Sequence, residues 1–268
     1  MPVSASGLYY DMRGPEGAPH LVLSAGLGGS ANYWAPNVPD LAKRFRLILY
    51  DHRGTGRSDR QLQPDFSVAS MADDILALLD DLGIERAHVL GHAAGGVAGL
   101  SMALRAPERT ESLVVVNGWS APDPHFLRCF ETRLALLHGS GLDAFLRAQP
   151  VFLYPANWIS ANMSWLDEEA AHQRKNFPGI ETTERRIAAL AAFDIRAQLG
   201  SISCPVLVLA AADDMLVPSI ASEQLARGLP NGKLICMDRG GHACNVTYPE
   251  VFNTAVLDWY SGLRTQKE

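Results

Sequence analysis

The chain has 268 residues and a net charge of −6, and 47% of its residues are hydrophobic while 19% are charged. This length and composition predict one large α/β domain, alone or with an insertion, and exclude long disordered stretches. The mild acidity argues against nucleic acid or an anionic membrane surface as a partner. The expected partner, a small-molecule substrate, follows from the motifs described below.

Short apolar runs with β-branched residues alternate with helical patterns in the first part of the chain. Between the apolar runs at residues 45–50 and 87–90, the apolar spacing over residues 71–82 predicts a helix that ends at Gly83. This alternation is typical of a parallel sheet with helical crossovers. The predicted buried strands are residues 20–25, 45–50, 87–90 and 113–116.

The third of these strands runs into Gly91-His92-Ala93-Ala94-Gly95, and a helix of small residues follows. Strand, sharp turn and helix are the context of the G-x-S-x-G nucleophile elbow of α/β-hydrolases, in which the outer glycines allow close backbone packing. Both outer glycines are present here, but Ala93 stands where the nucleophile belongs. The sequence therefore predicts a hydrolase fold whose site lacks an attacking oxygen.

The pattern changes at about residue 120, where helical stretches rich in aromatic and charged residues replace the strands. Two further strands and a last helix follow this stretch, with predicted bounds 205–210, 233–237 and about 249–263. The predicted architecture is an α/β-hydrolase fold with a mostly parallel central sheet and helices on both faces. We assign residues 1–119 and 201–268 to the core and residues 120–200 to an inserted helical cap.

Two polar loops of the core complete a predicted catalytic constellation. Asp213 and Asp214 follow the fifth predicted strand, and Gly240-Gly241-His242 follows the last one. The order elbow, acid, histidine is that of the α/β-hydrolase triad, and open α/β sheets bind ligands at the carboxyl ends of their strands. The spacing to Pro218 favours Asp214 over Asp213 as the carboxylate that orients His242.

The backbone amides of Leu27 and Ala94 are the predicted oxyanion-hole donors, and they do not depend on the lost side chain. The loop that holds Leu27, residues 26–30, lacks the G-x-G-x-x-G spacing of dinucleotide sites. Cys244 lies close to His242, but the four cysteines form no C-x-x-C pair. We expect neither a cofactor nor a metal.

With these motifs assembled, the chain resembles the RutD family, the α/β-hydrolase-fold proteins of the Rut pyrimidine-degradation pathway. The resemblance rests on Gly91-His92-Ala93, on the cap run 149–156 and on the stretch 241–247. It implies hydrolysis of a labile product of uracil ring opening. The product is carbamate, which gives ammonia and carbon dioxide, or aminoacrylate, which gives malonic semialdehyde and ammonia. Family members similar to this chain also carry alanine at the elbow.

The alanine itself fits a labile substrate. Loss of the nucleophile costs about 10⁶ in kcat in subtilisin and leaves roughly 10³–10⁴ over water, which is enough only for a molecule that already decomposes unaided. We therefore predict water or proton transfer assisted by His242 and Asp214, with no covalent intermediate. Arg128 in the cap is expected to contact the substrate carboxylate. Further candidates for lining the pocket are Asn117, Trp119, Tyr154 and Asn245.

Three other classes remain open from the residues alone. The chain could be a non-catalytic small-ligand-binding protein on the same scaffold, or a cofactor-free oxygenase that uses the His/Asp pair. A serine esterase fits if Ala93 replaces the nucleophile, or if Ser24 or Ser30 takes its place, although Ser30 is expected to cap a helix. A haloalkane dehalogenase is excluded, because it needs a carboxylate at the elbow.

The N-terminus lacks the basic and apolar regions of a signal peptide. No apolar run approaches the ~18 residues that span a bilayer. We therefore expect a cytoplasmic protein with reduced thiols and no membrane contact, and a homodimer is compatible with the sequence.

Overall fold

The computed structural model describes the backbone of residues 2–265 and the side chains of residues 2–263. The strands of this part of the chain are β1 Tyr10–Arg13, β2 His20–Ser24, β3 Arg46–Tyr50, β4 Ala87–His92, β5 Thr110–Val116, β6 Val206–Ala211 and β7 Gly232–Met237. They form one sheet in the order β1-β3-β2-β4-β5-β6-β7. β1 is antiparallel to β3, and the other pairs are parallel.

The central strands are buried over most of their length because helices cover both faces of the sheet. In β6 all six residues are buried. Successive side chains point to opposite faces, so that Val206 and Val208 join one hydrophobic cluster, whereas Leu207 and Leu209 join the other. The sheet therefore separates two hydrophobic cores.

The core helices are α1 Val38–Leu41, α2 Val68–Asp81, α3 Ala94–Arg105, α9 Ser219–Gly228, α10 Cys244–Thr247 and α11 Pro249–Thr265. The apolar faces of α2 and α3 lie in the first cluster. On the other face of the sheet, α11 contributes Phe252, Val256 and Trp259 to the second cluster. Ser67 directly precedes α2, and its hydroxyl accepts a hydrogen bond from the Ser70 N–H and so caps the helix.

Five helices lie between β5 and β6: α4 Pro124–Gly139, α5 Gly141–Leu153, α6 Ala156–Ala161, α7 Met163–Lys175 and α8 Ile180–Ala191. We call residues 120–200 the cap segment. Its two ends meet, because the Ile195 N–H donates to the Ser120 carbonyl at 2.8 Å. Helix α5 ends on the loop that carries His242, since the Ala243 N–H donates to the Leu153 carbonyl at 3.0 Å.

The predicted α/β-hydrolase fold is confirmed, and each predicted strand and helix of the core is present with bounds shifted by a few residues. β1 was not predicted, because its four residues are only partly buried and include Asp11 and Arg13, which form an ion pair. The bounds assigned to the core and the cap segment stay a prediction. None of the helices among the described residues is long and apolar enough to cross a membrane.

Candidate active site

The elbow connects β4 to α3 through Ala93, whose backbone has φ 46° and ψ −105°. Among the described residues other than glycine, only Ala93 and Asn117 have a positive φ. A Cβ atom added at Gly91 would lie 2.3 Å from the Gly95 carbonyl group, and one added at Gly95 would lie 2.1 Å from the Ser24 backbone carbonyl oxygen. The chain therefore keeps the strained turn that usually presents a nucleophile, although Ala93 carries none.

His242 and Asp214 form a buried pair. His242 Nδ1 lies 2.7 Å from Asp214 Oδ2, and Asp214 Oδ1 accepts hydrogen bonds from the Leu216 and Val217 N–H groups at 2.7 and 3.0 Å. An ionised carboxylate only accepts, so Nδ1 carries the proton, and in the neutral ring Nε2 presents a lone pair that can take up a second proton. Within residues 2–263 no group bonds to Nε2, which leaves it available for proton transfer.

The neighbouring Asp213 has a different contact. Its Oδ1 accepts the Gly241 N–H at 2.8 Å, which fixes the approach to His242. The predicted choice of Asp214 rather than Asp213 as the carboxylate beside the imidazole therefore agrees with the geometry. Asp213 positions the backbone of the same loop.

Two further side chains hold His242 through its backbone carbonyl. Asn117 Nδ2 and His92 Nε2 both donate to this oxygen at 2.7 Å. Asn117 Oδ1 accepts the Ala211 N–H at 3.0 Å, so its amide joins the loop to β6. Burial, followed by the charge of His242, holds the pKa of His92 well below its usual range, so His92 is a neutral positioning residue.

The two predicted oxyanion donors have no hydrogen-bond acceptor among the described residues. Ala94 is the first residue of α3, and the first N–H groups of a helix have no partner within it. The other donor, Leu27, is held through its carbonyl, which accepts from Arg186 Nε at 3.2 Å. Both amides are therefore free to bind a substrate oxygen.

A second histidine, His52, lies in a closed network with Ser24. Ser24 Oγ lies 2.8 Å from the Tyr50 hydroxyl and 3.1 Å from His52 Nε2, while Arg186 Nη2 donates to His52 Nδ1 at 2.9 Å. Because a guanidinium only donates, His52 Nδ1 is the acceptor and Nε2–H donates to Ser24. His52 cannot take the Ser24 proton, and Ser24 is fully buried.

Neither alternative serine therefore replaces the missing nucleophile. Ser30 has the predicted capping contact, since its hydroxyl accepts the Asn32 N–H at 3.2 Å. Ser24 is inactivated by the direction of its hydrogen bond with His52. A serine nucleophile at either position is inconsistent with this geometry.

The substrate contact predicted for Arg128 has no support in the structure. Its side chain is 79% exposed, and its guanidinium pairs with Glu131 at 3.0 Å. Pocket lining by Asn117 and Asn245 stays a prediction, and the polar atoms of both side chains are engaged within the protein. Asn245 Oδ1 accepts from the Tyr33 hydroxyl at 2.7 Å, and its Nδ2 donates to Asn37 at 3.2 Å.

Of the last two predicted lining residues, Trp119 directly precedes the cap segment and Tyr154 lies within it. Trp119 is buried against Phe126 with ring centroids 4.5 Å apart, and its Nε1 has no partner among the described residues. Tyr154 stacks on Trp158 at 4.6 Å and directly follows Leu153, the residue bonded to the His242 loop. Their contact with a substrate stays a prediction.

Sequence reasoning missed two buried arginines of the cap segment, Arg133 and Arg186. A signal existed for Arg133. The buried residues of α4 recur at helical spacing as Phe126, Cys129, Phe130, Arg133 and Leu137, so a cation stands in the apolar stripe. Over residues 2–263, no group of three or more His, Cys, Asp or Glu side chains could hold a metal ion.

This sheet, with the elbow after β4, the acid after β6 and the histidine after β7, defines an α/β-hydrolase. A family model described as alpha/beta hydrolase fold matches residues 19–153. The chain is 54% identical over 261 residues to a protein of Caulobacter sp. (strain K31), with 97% of each chain covered. It is 49% identical over 242 residues to one of Agrobacterium fabrum, covering 90% of this chain and 93% of the relative. Both are named "Putative carbamate hydrolase RutD", and the chain belongs to the RutD family.

Solved structures agree with this assignment. A hydrolase from Pseudomonas aeruginosa PA01 is similar with a TM-score of 0.83 and 30% identity, covering 94% of both chains. The enol-lactonase from Burkholderia xenovorans LB400 has a TM-score of 0.83 and 27% identity, covering 95% of this chain and 96% of that one. The protein is a hydrolase by family and fold.

Proposed function

We propose that the protein accelerates the breakdown of a labile small carboxylate with a C–N bond, either carbamate or aminoacrylate, by proton transfer from His242. One observation carries the proposal: the buried His242–Asp214 pair at 2.7 Å lies against His92 of the elbow, with the two imidazole centroids 4.6 Å apart, and this elbow holds Ala93 instead of a nucleophile. Proton transfer is the chemistry that such a site retains. The names of the relatives add support, since they are those of carbamate hydrolases.

For carbamate, the reaction needs one proton on nitrogen. The imidazolium of His242 gives its Nε2 proton to the nitrogen, the C–N bond breaks, and ammonia and carbon dioxide leave. The ring then regains a proton from solvent. Asp214 stabilises the cationic ring by accepting Nδ1–H throughout.

For aminoacrylate, the same proton goes to the carbon next to the carboxylate, which gives an iminium ion. Water then adds to the iminium carbon, and ammonia leaves as malonic semialdehyde forms. His242 Nε2, now neutral, takes a proton from the attacking water. Both routes use one acid–base group and no bond to the protein.

The remaining parts of the site have supporting tasks in this proposal. The free amides of Leu27 and Ala94 donate to an oxygen of the substrate. Ala93 has no side-chain acceptor, so the proton of His242 is not diverted into an elbow hydroxyl. A site of this kind retains roughly 10³–10⁴ of acceleration in a hydrolase without its nucleophile, which suffices for a substrate that decays unaided.

The test is the decay of freshly dissolved ammonium carbamate, or of freshly generated aminoacrylate, followed by ammonia release. Wild-type protein is expected to accelerate the decay of one of them, and His242→Gln is expected to leave the buffer rate. His172→Gln, which changes an exposed histidine of α7, is the matched control and should equal wild type. Full acceleration by His242→Gln contradicts the proposal.

The other protein classes give different results in the same samples. A binding protein would be stabilised against heat by the substrate without faster decay. An oxygenase would consume dissolved oxygen, whereas the proposed reaction leaves the oxygen concentration constant. Either result would replace the proposal.

A further inference from the structure

Arg133 is a buried cation without an acidic partner. It lies on α4 with 4% of its surface exposed, and no carboxylate within residues 2–263 forms an ion pair with it. Burial lowers the pKa of Arg133 to about 10. An isolated buried charge is costly and is normally paired or hydrogen-bonded, so its persistence in the fold needs an explanation.

Most of the hydrogen-bonding capacity of Arg133 is unused. Nη2 donates to Gln149 Oε1, while the buried Nε has no acceptor among the described residues. Nη1 has no acceptor there either, and it is not among the enclosed atoms, so it retains accessible surface. Gln149 cannot turn to satisfy more of the donors, because its Nε2 donates to the Phe145 carbonyl at 3.1 Å.

Arg186, the other buried arginine of the cap segment, differs in this respect. Its Nε, Nη1 and Nη2 contact the Leu27 carbonyl, the Arg53 carbonyl and His52 Nδ1 at 3.2, 3.2 and 2.9 Å. All three nitrogens are used within the protein. Arg186 is therefore a structural cation, whereas Arg133 has N–H groups without an acceptor among the described residues.

Aromatic rings surround the guanidinium of Arg133. Its Cζ lies 5.1 Å from the ring centroid of Phe130 and 5.8 Å from those of Phe145 and Phe152. Such faces attract a cation but do not neutralise it. The charge is held in a low-dielectric setting, where one anion would interact with it strongly.

Residues that surround Arg133 are connected to the loops that carry His242 and Asp214. Phe152 is followed by Leu153, whose carbonyl accepts the Ala243 N–H at 3.0 Å, next to His242. Cys129 lies one turn before Arg133, and its thiol donates to the carbonyl of Met215, the residue after Asp214, at 3.6 Å. Arg133 therefore lies in the part of the cap segment that rests on the loops of both catalytic residues.

We propose that Arg133 binds the carboxylate group of the substrate beneath the cap segment and holds it beside His242 and Asp214. The inference rests on the proposed function, because carbamate and aminoacrylate both carry a carboxylate. Arg133 supplies the counter-charge and an unused N–H group, and the anion supplies the acceptor that the guanidinium lacks. The contact expected of Arg128 is thus reassigned to the buried arginine of the same helix.

The first experiment measures binding of propionate, a stable carboxylate, and of propionamide, its neutral isostere, by calorimetry. Propionate is expected to bind wild type and to bind Arg133→Met at least about 10-fold more weakly, since a charge-assisted hydrogen bond contributes about 1.5–3 kcal/mol. Arg128→Met removes an exposed charge from the same helix and should bind propionate as wild type does. Equal propionate binding by wild type and Arg133→Met overturns the inference.

Kinetics separate this inference from the proposed function. In Arg133→Met, KM for the labile substrate should rise at least about 10-fold while kcat changes less, as for a lost binding contact. In His242→Gln, acceleration should vanish while propionate still binds. Arg133-dependent propionate binding without any acceleration supports the carboxylate site and refutes the proposed function. Acceleration with binding independent of Arg133 refutes the inference alone.

A measurement on wild-type protein covers the case in which Arg133→Met does not fold. The ¹⁵Nε–¹H signal of Arg133 is expected to shift on addition of propionate and to stay in place with propionamide. Arg133→Lys, which keeps the charge, should retain part of the propionate affinity. An Arg133 signal that does not move with propionate overturns the inference.

Discussion

Two histidines flank the elbow, and their rings have opposite polarity. In the loop after β7, His242 Nδ1 faces the carboxylate of Asp214, so Nε2 presents a lone pair. In the loop after β3, His52 Nδ1 faces the guanidinium of Arg186, so Nε2 carries the proton. The same side chain presents a lone pair at Nε2 in one region and a fixed N–H group in the other. The partner at Nδ1 decides which it is.

The two regions also differ in what Nε2 meets. His52 donates to Ser24, whose oxygen also lies within hydrogen-bond distance of the Tyr50 hydroxyl. All atoms of these two hydrogen bonds are buried. His242 Nε2 meets no described residue. The His52 region therefore uses its hydrogen bonds to fix the loops, whereas the His242 region keeps one site free for a substrate.

The largest expected effect comes from Asp214→Asn, which should give His242 the polarity of His52. The Leu216 and Val217 N–H groups will retain the side-chain oxygen of the new amide, so its NH₂ turns toward Nδ1. Nε2 then carries the proton in the neutral ring. The amide also cannot stabilise the imidazolium from which the proton is transferred. In a serine protease the same change lowers kcat by about 10⁴-fold, and we expect the acceleration here to fall toward the spontaneous rate.

Asp213→Asn is the matched control, because it makes the same change one residue away. Its oxygen can still accept the Gly241 N–H, so acceleration should stay within a few-fold of wild type. ¹⁵N NMR of the imidazole reports the tautomer directly. Unchanged acceleration in Asp214→Asn with the proton on Nε2 would show that the reaction does not depend on a His242 imidazolium stabilised by Asp214.

The next effect concerns the partner of His52. Arg186→Met removes the donor to three buried acceptors, the Leu27 and Arg53 carbonyls and His52 Nδ1. Each unsatisfied buried acceptor costs about 1–3 kcal/mol, and relief of the buried charge offsets part of the sum. We expect the free energy of unfolding to fall by about 2–3 kcal/mol, measured by urea denaturation.

Arg185→Met is its control on α8. Arg185 is partly exposed and pairs with Glu181 four residues before it, a contact that contributes about 0.5 kcal/mol or less. A loss of stability in Arg186→Met no larger than in Arg185→Met would mean that the His52 network is not held by its cation.

A smaller effect should appear in the pH dependence of stability. Burial, followed by the charge of Arg186, holds the pKa of His52 well below its usual 6.5, and burial does the same for His92. Below pH 6.5 the two imidazoles bind protons in the unfolded chain but stay neutral in the folded protein. The stability from each neutral ring is therefore complete above that pH and falls by roughly 1 kcal/mol per pH unit below it.

Urea midpoints between pH 7.5 and 5.5 measure this slope. His52→Gln and His92→Gln should each flatten it, whatever their effect on stability at neutral pH. A slope that is the same in wild type and in the double variant would show that neither ring is kept neutral by the fold.

The sequence was sufficient to predict the His242 region but not the His52 network. His242 and Asp214 are identified by chain order and by the Gly-Gly approach, which are local features. The partner of His52 is 134 residues away in the cap segment. A pattern within one loop cannot show which distant cation folds back onto it, so the direction of the Ser24 hydrogen bond was beyond sequence reasoning.

The fold likewise contains elements that the sequence predicts and elements that it does not. The parallel strands were predicted because burial on both faces makes them continuous apolar runs. β1 was missed because it depends on pairing with β3 at the edge of the sheet. On α4, Arg128 and Arg133 are about 140° apart around the axis at 3.6 residues per turn, so only one can face the interior. The apolar stripe marks Arg133, but an arginine is ordinarily assigned to solvent.

The smallest structural change with a clear outcome is Ala93→Ser, which adds one hydroxyl to the elbow. Ala93 already has the strained backbone of a nucleophile position, so we expect stability to change by less than about 0.5 kcal/mol. The new oxygen would lie at the position that α/β-hydrolases present to the histidine. Weak hydrolysis of an activated ester and labelling by a fluorophosphonate should appear.

Wild type provides the comparison, because it already contains the Ser24–His52 contact at 3.1 Å. Ser24 should resist the fluorophosphonate, since His52 donates to its oxygen and cannot remove its proton. In Ala93→Ser the label should map to residue 93 and disappear in Ala93→Ser/Asp214→Asn, because the ring then loses its base at Nε2. Labelling of Ser24 in wild type would contradict the assigned polarity of His52.

Inertness of Ala93→Ser, despite a hydrogen bond from the hydroxyl to His242, would show that the site is arranged for proton transfer to substrate and not for acyl transfer.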